Sequence, residues 1–311
     1  MTFFPEEPEV PLNQRAKGRA MLRYEDINQA GKVLLSAMPV ALGPSIWRAY
    51  AAHPLAAAMM ADGVLPILSR LVLAAGDGPI AVLSPVEAEG AMQLAHTAGT
   101  DGEVDRIVLN MWCRLYGEAG RTHGPAPANA GERLLVGRVF AEHVVTRPFA
   151  KEREARKVLR LPRVEGLPEV PPERYEWQPA EDLLGLPEGA RWIEDGFSMD
   201  PTPVVFSLDH TDSNQHVNSL VYPRVFLEAA LRRLWDLGHK GVLSGQYAEL
   251  AYRKPCFAGE RLRVMARGFE RGDEVGIAGA LLTEEEAAGP IDQARPRCFA
   301  RIAMAKVERG V

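Results

Sequence analysis

Cysteine is scarce: Cys113, Cys256 and Cys298 are the only three in 311 residues, and they have no pairing rhythm. That excludes a disulfide framework and points to a reducing compartment, so a cytoplasmic protein is expected. No run approaches the roughly 18 uninterrupted apolar residues of a membrane-spanning helix, and no membrane partner is expected. A basic stripe is also missing. The 36 Lys and Arg are interspersed with 41 Asp and Glu, for a net charge of -5, which argues against nucleic acid as a partner. The opening stretch MTFFPEEPEVPLNQ is acidic and proline-rich where a secretory signal would be basic and then apolar. A metal site would have to come from His210, Asp212 and His216, with no evident fourth ligand, so neither metal nor cofactor is expected.

What remains is an ordinary globular balance, 47% hydrophobic and 25% charged, in a chain long enough for about two domains. Residues 1–20 read as an N-terminal arm and 21–150 as a first domain. Within it, MLRYEDI reads as a strand and the alanine-rich Ser45–Met60 region as a helix, with Pro54 as a point of interruption. VEAEGAMQLAHT, RIVLNMWCRLYG and RLLVGRVFAEHVV read as further strands, separated by glycine, asparagine and proline. Residues 151–200 are rich in proline and read as a long connection with short helical pieces, of the kind that wraps a surface or covers a site. Residues 201–311 form the second domain. In it a strand candidate TPVVFSLDHTD precedes a helix over Leu220–Gly238, and four more strand candidates follow.

Each half therefore reads as strand, helix and several antiparallel strands. A short echo supports duplication: Asp26-Ile27-Asn28-Gln29 parallels Asp212-Ser213-Asn214-Gln215. In that alignment Ala30 stands where His216 stands in the second copy. The expected fold class is α+β, a double hot-dog, with two antiparallel sheets each wrapped around a long central helix. Pairing the copies would remove an exposed sheet edge.

The most informative stretch is DHTDSNQHVNSLVYPRVFLEAA, residues 209–230. In an extended segment Asp212, Asn214, His216 and Asn218 share one side, immediately before a helix whose start carries free N–H groups and positive dipole potential. Asp212 could orient water, Asn214 could donate to water or substrate, and His216 could shuttle a proton. The same residue types also build turns and helix caps, and a capping loop is the competing reading of the stretch.

This stretch resembles the D-x-N-x-H-V-N signature of acyl-ACP thioesterases and the wider hot-dog thioesterase superfamily, and YRKPCFAGERLRV (Tyr252–Val264) resembles the strands that follow the helix there. The resemblance implies hydrolysis of an acyl thioester, with acyl-CoA or an acyl carrier protein as partner and a homodimer compatible. It assigns catalysis to Asp212, Asn214 and His216; Asn218, Ser219, Tyr222, Glu249 and Cys256 are expected as substrate contacts. One departure stands out: Pro255 precedes Cys256 where the plant-type enzymes carry an acid, which leaves Glu249 and Glu228 as general-base candidates. A thiol mechanism through Cys256, a non-catalytic acyl-binding hot-dog protein and a hot-dog hydratase are the alternatives. The hydratase motif D-x-N-P-[IL]-H fits less well, because no proline follows Asn214.

Overall fold

Alternating and β-branched runs supply most of the regular structure. The computed structural model describes residues 4–82 and 84–307. In the first half β1 (Arg15–Met21) is followed by a helical region, then by β2 (Leu65–Ala75), β3 (Pro85–Ala98), β4 (Val104–Glu118) and β5 (Arg133–Thr146). The connection contributes two two-residue strands, β6 (Arg191–Trp192) and β7 (Ser198–Met199), and a third such strand, β8 (Val204–Val205), opens the second half. The second half adds β9 (Leu243–Tyr252), β10 (Arg261–Arg271), β11 (Glu274–Thr283) and β12 (Cys298–Lys306).

These strands form one antiparallel sheet of twelve rather than two separate sheets, in the order β1-β3-β4-β5-β2-β9-β12-β11-β10-β6, with β7 and β8 also on β10. The join is the antiparallel β2–β9 pair, in which Arg70 faces Ala251, Val72 faces Glu249 and Ala74 faces Tyr247. Pairing these strands gives each half's would-be edge a hydrogen-bonded neighbour. The seam strand β2 was not foreseen from sequence. Its run ILSRLVL has no clean alternation, as befits a central strand covered on both faces. The N-terminal arm is itself partly strand, because β1 pairs along β3 from Arg15 opposite Ala91 to Met21 opposite Pro85.

The two helical regions differ. In the second half α3 is continuous over Val221–Asp236 and buries Tyr222, Phe226, Ala229, Ala230 and Leu234. Before it in the chain, the first-half region is broken: 3-10 turns over Leu35–Leu42, a π turn over Gly43–Trp47, α1 (Arg48–Ala51) and α2 (Pro54–Ala61). The expected single helix from Ser45 to Met60 does not form, because Pro54 lacks the N–H needed to continue a helix and instead starts a new one capped by His53. MLRYEDI and TPVVFSLDHTD are only briefly extended; each ends in a 3-10 turn, Tyr24–Asp26 and Leu208–His210.

Both helical regions lie on one face of the sheet, in a core that includes Met38, Ile46, Phe226, Ala230, Leu250 and Ile302. The opposite face carries Val72, Trp112, Phe140, Tyr247 and Phe269. It is crossed by the connection, whose Tyr175 hydroxyl donates to Glu142 on β5 at 2.7 Å. Farther along, the Asp182 carbonyl accepts from Arg301 on β12 at 2.7 Å. The connection thus straps both halves together from behind.

Candidate active site

The polar motif forms a tight hairpin ahead of α3. Thr211 and Val217 make an antiparallel bridge. Asp212 N–H donates to the His216 carbonyl at 3.2 Å, and Gln215 N–H donates to the Asp212 carbonyl at 3.0 Å. The turn needs a left-handed residue, and Gln215 supplies it at φ 67°, the one non-glycine residue with positive φ among the described residues. Such a conformation costs roughly 1 kcal/mol and is common where function constrains the backbone.

Each motif residue has a definite placement. Asp212 accepts from Asn214 N–H at 2.8 Å through one oxygen and from the Asn218 amide at 3.0 Å through the other. Asn218 in turn accepts from Leu220 N–H at 2.8 Å, and its backbone carbonyl takes Val221 N–H at 3.0 Å, so it ties the carboxylate to the helix start. Asn214 is exposed. His216 is half-buried, with Nδ1 at 3.3 Å from the Val217 carbonyl. A proton on Nδ1 makes that contact a hydrogen bond and leaves Nε2 as a free base. Asp212 and Asn218 are therefore tied to the start of α3, with His216 on the same turn.

The remaining expected contacts separate into supports and outliers. The Tyr252 hydroxyl donates to the Ser219 carbonyl at 2.9 Å, and the buried Tyr222 hydroxyl accepts from Cys256 N–H at 3.2 Å. Val217 N–H donates to the Cys256 carbonyl at 2.8 Å. Tyr222 and Cys256 thus act as struts beneath the hairpin. The Cys256 thiol is fully buried, and burial pushes it up to about 11, so a thiolate nucleophile is not prepared at neutral pH.

Glu249 lies on the other face of the sheet. It alternates with Ala248 and Leu250, which face the helices, and it forms a buried ion pair with Arg70 (Nε to Oε1, 2.7 Å) while accepting from the Tyr247 hydroxyl at 2.6 Å. A substrate contact beside His216 does not fit that position. Glu228 is exposed on α3. His210, Asp212 and His216 do not gather as metal ligands, and no cluster of three or more such residues occurs among the described residues.

The duplication is visible in hydrogen bonds, in a register different from the sequence echo. Ile27 bridges Val33 as Thr211 bridges Val217. Asn28 N–H donates to the Lys32 carbonyl at 2.9 Å and Gly31 N–H to the Asn28 carbonyl at 2.9 Å, repeating Asp212–His216 and Gln215–Asp212. Gly31 takes the left-handed position at φ 76°. The counterpart of Asp212 is therefore Asn28, that of Asn214 is Ala30, and that of His216 is Lys32 rather than Ala30. The echo misled because Asp26 and Asn28 copy the residue types of the second hairpin two positions out of step.

Comparison of the sequence with protein-family models and with curated proteins finds no match. Solved structures do match in three dimensions. An acyl-ACP thioesterase from Bacteroides thetaiotaomicron superposes with a TM-score of 0.54 at 12% identity, covering 94% of this chain and 98% of that one. The 12:0-ACP thioesterase from Umbellularia californica gives 0.51 at 13% identity, covering 94% of each chain. At such identities the likeness is one of fold, and in fold the chain resembles the hot-dog acyl-ACP thioesterases over most of its length.

Proposed function

We propose that the chain is a double hot-dog thioesterase that hydrolyses an acyl thioester carried by CoA or an acyl carrier protein. The observation that carries this reading is the hairpin itself: a half-buried imidazole on the same tight turn as a carboxylate that Asn218 ties to a helix start, on a fold resembling acyl-ACP thioesterases. In the proposed reaction His216 Nε2 takes a proton from water as the water oxygen attacks the thioester carbon. The developing oxyanion lies toward the positive end of α3, and the collapsing intermediate expels the thiolate, which takes from His216 the proton that the water lost. Asp212 and Asn214 hold the water and the loop. The general base is then His216 and not an acid beside Cys256, which accommodates Pro255.

A second reading is favoured by one observation. Both oxygens of Asp212 are already engaged within the hairpin, as they would be in a capping loop that only binds acyl groups. Thiol release from acyl-CoA and acyl-ACP, followed with a chromogenic disulfide, separates the two. Turnover that is lost in His216→Ala supports the enzyme, and binding without turnover by the wild type supports the acyl-binding protein.

A further inference from the structure

The half that carries the histidine also carries two phenols that its counterpart lacks. Strands β2 and β9 each have one irregularity, at Ser69 against β5 and at Gln246 against β12. Aligning these bulges makes Val72 the counterpart of Glu249 and Ala75 that of Tyr252. The seam agrees, since Val72 pairs directly with Glu249. In the helical regions, Ala37 N–H donates to the Leu34 carbonyl as Val221 N–H donates to the Asn218 carbonyl, each at 3.0 Å. That makes Leu35 the counterpart of Ser219 and Met38 that of Tyr222, in the register that also relates Asn28 to Asp212.

Around the second hairpin the phenols close a circuit of contacts. Val217 N–H donates to the Cys256 carbonyl at 2.8 Å, and Cys256 N–H donates to the Tyr222 hydroxyl at 3.2 Å. The Tyr222 ring meets the Tyr252 ring edge-on with centroids 5.3 Å apart, and the Tyr252 hydroxyl donates to the Ser219 carbonyl at 2.9 Å. The segment between the two anchored ends, Val217-Asn218-Ser219, leads from His216 into α3. Both of its ends are thus tied to β9 and the turn that follows it. Burial pushes both phenols above their ordinary range, so each stays protonated at any pH at which an imidazole works as a base.

The first half builds the same turn without this circuit. Ala75 and Met38 carry no hydroxyl, and Met38 is fully buried in the apolar core. The turn there has the backbone hydrogen bonds of the second one, and the Asn28 side chain supports it by accepting from Ala30 and Lys32 N–H and donating to Ser244. Forming the hairpin therefore does not require the phenols. They accompany the histidine and not the fold.

Resting on the thioesterase reading, we infer that Tyr252 is a positioning residue: through the Ser219 carbonyl, and with Tyr222 acting through Cys256 and Val217, it fixes the imidazole of His216 relative to the start of α3. Proton transfer and oxyanion stabilisation both depend on placement to within about 1 Å, and these two groups sit on opposite sides of the clamped segment.

Tyr252→Phe tests this, because it keeps the ring against Tyr222 and removes one oxygen. The control is Tyr247→Phe, which removes a buried hydroxyl from the same strand on the opposite face, where it donates to Glu249. With octanoyl-CoA or palmitoyl-CoA, whichever the wild type turns over faster, Tyr252→Phe should lower kcat about tenfold or more and hold KM within about twofold. Tyr247→Phe should keep wild-type kcat at a similar melting shift. Wild-type kcat in Tyr252→Phe overturns the positioning role and leaves the hydrolase reading standing. A loss carried by KM instead, or an equal loss of kcat in both variants, also overturns it. If the wild type turns over neither thioester, the hydrolase reading fails, and NMR of the His216 imidazole decides the clamp alone. One sharp set of ring signals in the wild type that broadens or divides in Tyr252→Phe, and not in Tyr247→Phe, supports it. Signals unchanged in Tyr252→Phe, or altered alike in both variants, overturn it.

Discussion

Asp212→Asn separates chemistry from architecture, because the protein already contains the control. At the equivalent position Asn28 builds the same turn: its side-chain oxygen accepts from Ala30 N–H at 2.9 Å and Lys32 N–H at 3.0 Å. An amide at 212 can therefore keep the bond to Asn214 N–H. What it loses is the bond from the Asn218 amide, which would face a second N–H donor while its own oxygen remains held by Leu220 N–H. A hydrogen bond to a carboxylate is worth about 1.5–3 kcal/mol, and partial exposure at this rim reduces the loss to about 1 kcal/mol. In a chain of this length that lowers the melting temperature by roughly 2 °C. If Asp212 holds the attacking water and supports His216, turnover should fall by about 100-fold or more. Thiol-release kinetics beside a thermal melt measures both quantities on one preparation. Wild-type turnover with the small melting shift would reduce Asp212 to a turn-former and refute its catalytic role.

Three further outcomes follow from the buried groups. His143 is fully enclosed beneath Trp47, and burial lowers it from 6.5 to about 4. It is neutral in the fold while the unfolded chain protonates below 6.5, so its contribution is present above that pH and about 3 kcal/mol is lost as pH falls toward 4. Urea unfolding across that range should show the slope, and His143→Gln should flatten it. Glu249→Gln leaves Arg70 buried without its counter-charge and should cost about 3 kcal/mol in the same assay. Lost turnover with unchanged stability would instead return Glu249 to the chemistry. Cys256→Ser should keep turnover within about threefold, and iodoacetamide at pH 7.5 should leave activity intact, because the protonated, buried thiol is a poor nucleophile; rapid inactivation would favour the thiol mechanism.

The helix after the polar motif and the strands β3, β4, β5 and β9–β12 were legible in sequence, because hydrophobic patterning is local, whereas the motif itself, read as extended with its polar residues on one side, folds back as a hairpin around Gln215. Asn218 as the link from Asp212 to the helix follows from the same local rules. The fusion of both halves into one sheet was not legible, nor was the face on which Glu249 lies. Both depend on the pairing of β2 with β9, a contact between segments 179 residues apart at Arg70 and Glu249. The true register of the duplication was also hidden. Residue types echo at one offset and backbone hydrogen bonds at another, and only the folded hairpins reveal that Lys32, not Ala30, occupies the histidine's place. The sequence by itself determined that a polar turn with an imidazole precedes an apolar helix. Tertiary structure alone decided that Asn28 of the first hairpin reaches Ser244 of the other half, because the halves meet across a strand pairing that no local pattern encodes.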